Sequence, residues 1–203
     1  MLVDTEGLYY EATRAVLARV GVELGPELFV DLSLRRGRSV FELVRGAVDA
    51  HEIETLRSAR NALYAERLAA GVPALEGVEP VLAALHGRVA MGVVTSSNPE
   101  HFELIHRGTG LLRYFDFVLT NRDTERSKPD PAPYLAALER ARLGPEACIA
   151  VEDSERGLAA ARAAGLRCLV APRSLTRGGR FDGAFAVVDG PRELAAALAA
   201  LVG

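Results

Sequence analysis

Lysine is almost absent from this chain. Lys and Arg total 24, and only Lys128 among them is lysine. An arginine-biased genome explains that background but not the position of the one lysine. Cysteine is also scarce: Cys148 and Cys168 lie in the short apolar runs ACIAV and RCLVA. Such placement predicts two buried thiols in neighbouring strands, not a disulfide or a metal pair. No apolar run approaches the ~20 residues that span a bilayer, so no membrane partner is expected. No basic stretch leads into an apolar one at the N-terminus, as in a signal peptide, so the expected location is cytoplasmic. The net charge is −3. Nucleic acid requires a basic footprint and is not expected either. Internal repeats and low-complexity segments are lacking, and oligomeric state leaves no mark.

What is present is ordinary globular material. The 203 residues are 49% hydrophobic and 25% charged, enough to bury a core. The first third reads as helices: residues 5–20 closed by Gly21, a short one after Pro26, one opened by Ser39 (SVFELVRGAVDAH), and EIETLRSARNALYAERLAAG. Asp4 or Thr5 is the expected cap of the first. VPALEG is a turn-rich joint. From about residue 78, helices alternate with the strands RVAMGVVTSS, FDFVLT, ACIAVEDS, RCLVAP and AFAVVDG. Nearly continuous apolar strands between helices indicate an α/β fold whose parallel sheet is covered on both faces.

In such sheets ligands bind beyond the carboxyl ends of the strands. Thr95, Ser96, Ser97 and Asn98 follow one strand; Lys128, in SKPDP, follows the next; Glu152 and Asp153 end the third. Hydroxyls and amides at a helix start bind oxyanions. A compact ammonium partners phosphate oxygens. Adjacent carboxylates are hard-oxygen ligands for Mg²⁺. Each group has a plainer reading as a turn, a solvated loop lysine or a helix cap. Their joint order at successive strand ends points to phosphoryl transfer.

At this spacing VVTSSN, SKPDPAPYL and VEDSERGLAAARAAGL resemble the second, third and fourth motifs of the haloacid dehalogenase superfamily. LVDTE resembles the tail of its first motif. The nearest branch is that of the β-phosphoglucomutases and phosphoglycolate phosphatases. The resemblance covers essentially the whole chain. It implies a Rossmann-like core of residues 1–8 and 75–203 and an inserted helical cap, residues 9–74, closing over a small phosphorylated substrate. It further implies a Mg²⁺-dependent phosphatase working through an aspartyl-phosphate. Thr95 would hold the phosphoryl group, with Ser96, Ser97 and Asn98 beside it. Lys128 would bridge phosphate and nucleophile. Asp153 would bind the metal with support from Glu152. Arg36 and Arg38, in LRRGRS, are candidates for gripping a substrate anion, or a solvated loop.

The chain departs from the family at its start. The first motif, Asp-x-Asp-Gly-Thr, ends a central strand and carries the nucleophile and the general acid/base. Aligned on LVDTE, both aspartates fall before Met1, and Asp4 lies past the turn. The expectation is therefore an inactive chain that folds poorly, rearranges or pairs with another chain, with a misassigned start as the explanation. A mutase is the second reading, disfavoured because Tyr9 stands where those enzymes carry a cap histidine. Dehalogenase chemistry uses no metal and lacks the Glu-Asp pair. A non-catalytic phosphate-binding protein is the alternative from another class. A receiver domain does not suit the helical insertion.

Overall fold

The computed structural model describes residues 1–202. The first part is a helical layer: α1 (Glu6–Ala18), α2 (Pro26–Phe29), a wide π turn (Val30–Arg35), a 3-10 turn (Val40–Val44) and α3 (Ala50–Ala69). Asp49 caps α3 by accepting from the Glu52 amide at 2.8 Å. Val16, Leu17, Leu24, Phe29, Phe41 and Val44 form its buried core.

One local expectation fails here, and another is met in position only. The helix expected from Ser39 through His51 shrinks to the five-residue 3-10 turn, because Gly46 takes φ +86° and stops it. Glycine alone reaches that region at no steric cost. Of Asp4 and Thr5, the two expected caps of α1, only Thr5 stands at the position. Thr5 holds the cap position of α1 without a side-chain bond, while Asp4 accepts the hydroxyl of Ser174 from the loop after the fourth strand.

The chain crosses between its two parts twice. Val3 and Ala74 form an antiparallel bridge there, and the Leu75 amide donates to the Leu2 carbonyl at 2.9 Å. Beyond the crossing come α4 (Val78–Leu85), β1 (Gly92–Val94), α5 (Pro99–His106), β2 (Phe117–Leu119), α6 (Ala132–Ala141) and β3 (Ile149–Glu152). They are followed by α7 (Glu155–Ala163), β4 (Arg167–Val170), β5 (Ala186–Val187) and α8 (Pro191–Val202). Side chains alternate along β4. Cys168 and Val170 pack with Tyr134 and Leu158 on one face, and Leu169 packs with Leu85, Leu194 and Leu198 on the other. Helices therefore cover both faces. Both thiols are free, and burial pushes that of Cys168 up to about 12.

All strand pairs are parallel, but they do not form one sheet. β1 pairs with β2, and β3–β4–β5 form a separate trio. Among the described residues β1 and β3 are each paired along one edge only. Between them is an opening of about 1000 Å³, walled by apolar groups including Val93, Val94, Ile149, Val151 and Leu198. The two halves are joined at the carboxyl ends by side chains, and no backbone ladder continues that joint down the strands. Among the described residues, no helix is long and apolar enough to cross a membrane.

Candidate active site

The hydroxyl turn after β1 is well ordered by its own bonds. The Thr95 amide donates to the Leu119 carbonyl at 2.9 Å, which extends the β1–β2 pairing by one residue. Thr95 Oγ1 accepts the Ser97 amide at 3.1 Å and donates to Ser97 Oγ at 3.2 Å. Asn98 caps α5, its Oδ1 accepting the His101 amide at 2.8 Å, with Pro99 next in the first turn. Thr95, Ser96 and Ser97 line the opening, whereas the Asn98 side-chain oxygen is used in the cap.

At the end of β3 the cap of α7 is Ser154, which accepts the Gly157 amide at 3.2 Å. Glu152 and Asp153 are thus free of capping. Glu152 is buried and faces Lys128, whose Nζ donates to Glu152 Oε1 at 2.5 Å and to the Val94 carbonyl at 2.9 Å. The lone lysine ties the end of β1 to the end of β3. Its removal from water is costly, and only a close, fully bonded partner offsets that cost. The Tyr134 hydroxyl, from the first turn of α6, donates to the same Glu152 oxygen. Burial, with Glu152 adding, pushes the Tyr134 phenol well above its ordinary range, so it remains a donor. Gly157 seals the other side: a Cβ there would stand 2.1 Å from Glu152 Oε2.

Asp153 points elsewhere. Its Oδ2 accepts the terminal ammonium of Met1 at 2.9 Å. Burial pushes the Asp153 carboxyl up, but that ammonium, Lys128 and Arg156 outweigh it and hold the group below the usual range. Glu6 lies close by, its carboxyl raised by burial and by Asp153 and Asp4, with Arg156 opposing. A cation therefore already stands on Asp153, on hard oxygen of the kind Mg²⁺ prefers. The donor set is partial: no three His, Cys, Asp or Glu side chains converge among the described residues, and Glu152 is engaged with Lys128 and Tyr134.

Arg36 and Arg38 do not reach the opening. Arg36 pairs with Asp31 at 2.9 Å and Arg38 with Glu42, both arginines exposed on the helical layer. Their neighbour Arg35 does bridge the two parts, with Nε 2.6 Å from Glu155 Oε2 on α7. Gly37 rests on the lysine loop, where a Cβ would lie 3.0 Å from Pro129 Cδ. The sequence reading also passed over Tyr134, Glu6 and Arg156, all of which line the opening. Tyr134 carried one signal, an aromatic with a polar tip six places after the lone lysine, but at helical spacing it reads as core.

Residues 1–171 match the haloacid dehalogenase-like hydrolase family, and the chain belongs to it. Within that family it is a phosphoric monoester hydrolase of the β-phosphoglucomutase and phosphoglycolate phosphatase branch. It is 30% identical over 204 residues to the plasmid-borne protein CbbY of Cupriavidus necator, covering 92% of this chain and 80% of that one. It is 30% identical over 176 residues to the fructose-1-phosphate phosphatase YqaB of Escherichia coli, covering 81% and 88%. The crystal structure of CbbY from Rhodobacter sphaeroides with phosphate superposes with a TM-score of 0.81 at 26% identity, covering 96% and 92%. A point mutant of that CbbY has been crystallised with xylulose-(1,5)bisphosphate.

Proposed function

We propose that this protein hydrolyses small phosphorylated metabolites in the cytoplasm with Mg²⁺, through an aspartyl-phosphate. The observation that carries the reading is Lys128, buried at the joint of β1 and β3 beside Thr95, Ser96 and Ser97, which line the same opening. In this reading Thr95, Ser96 and Ser97 cradle the phosphoryl oxygens, with Asn98 shaping the turn that presents them. Lys128 has two N–H bonds engaged and a third left for an oxyanion. Asp153 holds the metal and Glu152 supports it, and the metal neutralises phosphate charge that would otherwise repel a nucleophile. Residues 9–74 form a cap over the core made of residues 1–8 and 75–203. The Arg35–Glu155 pair and the Gly37 contact favour the closed position, which excludes water. Relatives that hydrolyse a sugar phosphate, or that hold a sugar bisphosphate, favour a phosphosugar as substrate.

The nucleophile and the general acid/base belong to a strand upstream of Met1 in this reading, entering the opening parallel to β1 and β3. Two unpaired edges and apolar walls suit such a strand. Residues 1–203 alone are then inactive. The test compares residues 1–203 with the same chain extended by its upstream coding sequence, in p-nitrophenyl phosphate hydrolysis with Mg²⁺. The extended chain is expected to turn over, and its β1 and β3 amides to gain protection from hydrogen exchange. An extended chain that carries the Asp motif yet stays inert on a broad phosphate panel overturns the phosphatase reading. Turnover by residues 1–203 that is lost in Asp153→Ala overturns the assignment of the nucleophile.

A further inference from the structure

Lys128 is fixed from three directions. The Val94 carbonyl and Glu152 Oε1 each take one of its N–H bonds, at 2.9 and 2.5 Å. The third constraint is Tyr134, whose ring centroid lies 4.9 Å from Nζ and whose hydroxyl bonds the same Glu152 oxygen. The other Glu152 oxygen is shut in by Gly157. Glu152 therefore cannot turn away from Lys128 without breaking the tyrosine bond or lifting α7. An ammonium is otherwise a freely rotating point charge on a flexible stem. Here its remaining N–H has one direction left, away from Val94 and Glu152.

We propose that Tyr134 is the positioning residue for Lys128. Its hydroxyl clamps Glu152, its ring supports the ammonium, and together they aim the third N–H at an incoming oxyanion. The last step rests on the proposed role of Lys128 in phosphate binding; the clamp itself does not.

Because the chain has one lysine, isotope-labelled lysine gives a single side-chain ammonium resonance, which reads the clamp directly. In the unmodified chain that resonance is expected to be narrow and slow to exchange with water. Tyr134→Phe keeps the ring and removes the hydroxyl. It is expected to speed exchange and weaken inorganic phosphate binding by about tenfold, the scale of one hydrogen bond to a charged group. The thermal midpoint should shift by only a few degrees or less. Tyr134→Leu removes both contacts and should go further in the same order. A lysine resonance and exchange rate unchanged in Tyr134→Phe overturn the proposal, as does an equal effect of Phe and Leu, which would show that the ring gives the ammonium no support. If phosphate leaves the resonance of the unmodified chain unmoved, the phosphate role of Lys128 fails. The exchange result then still decides whether Tyr134 holds it.

Discussion

At their carboxyl ends β1 and β3 are locked together; along their lengths they face an apolar opening without pairing. The locked end is polar and held by its own bonds: Lys128, Glu152 and Tyr134 partner one another, one Lys128 N–H is left over, and no buried side-chain nitrogen or oxygen among the described residues is wholly without a partner. The open stretch is apolar in its walls and unsatisfied in its backbone edges. The contrast separates two things that usually coincide. Site geometry here is held by side chains reaching across, whereas sheet continuity needs a ladder of amides. Polar groups can thus be held together between two half-sheets without a shared ladder.

The largest test of the locked end is Lys128→Met, which leaves Glu152 buried without its counter-charge. The expected loss is about 3–5 kcal/mol in urea unfolding, and Lys128→Met with Glu152→Leu should recover most of it. An unchanged midpoint would move the joint elsewhere. The open stretch is tested by acid. His106 lines it, and burial, with the Met1 ammonium adding, pulls its imidazole from 6.5 down to about 4. The unfolded chain then takes a proton before the folded one. Stability is complete above the unfolded value and drains away as pH falls from 6.5 towards 4. The loss should reach about 3 kcal/mol and be absent in His106→Leu, read from urea midpoints across that window. Gly157→Ala pushes a methyl against the enclosed Glu152 carboxylate and should cost about 1–3 kcal/mol, without harm to α7 itself. Smallest is Arg35→Ala at the helical layer. Its side chain is 42% exposed, so the pair with Glu155 is screened. Its removal should cost at most about 1 kcal/mol and vanish in high salt.

The strand ends were legible because their chemistry is local. An apolar run that stops in hydroxyls or acids can be read in order, and Thr95, Lys128, Glu152 and Asp153 all fall where that order puts them. The helix through His51 was not legible, because a glycine inside an apolar pattern does not announce its φ. The division of Glu152 from Asp153 was hidden as well. Adjacent in sequence, they point to different partners: one is held by Lys128 and Tyr134, the other takes the Met1 ammonium. The charge run LRRGRS carries no information about which member meets a distant acid, so Arg35, which reaches Glu155, is not marked out in the sequence. The split of the sheet is a long-range fact, and apolar strands read the same whether paired on one edge or two.

The two crossings between the helical layer and the strands lie side by side, fastened by the Leu2–Leu75 bond and the Val3–Ala74 bridge. They amount to one joint with a single axis. Were they separate, the helical layer could slide or twist over the site. Set side by side, they fasten the helical layer to the strands at one place, and Met1 at its edge touches Asp153 at the end of β3.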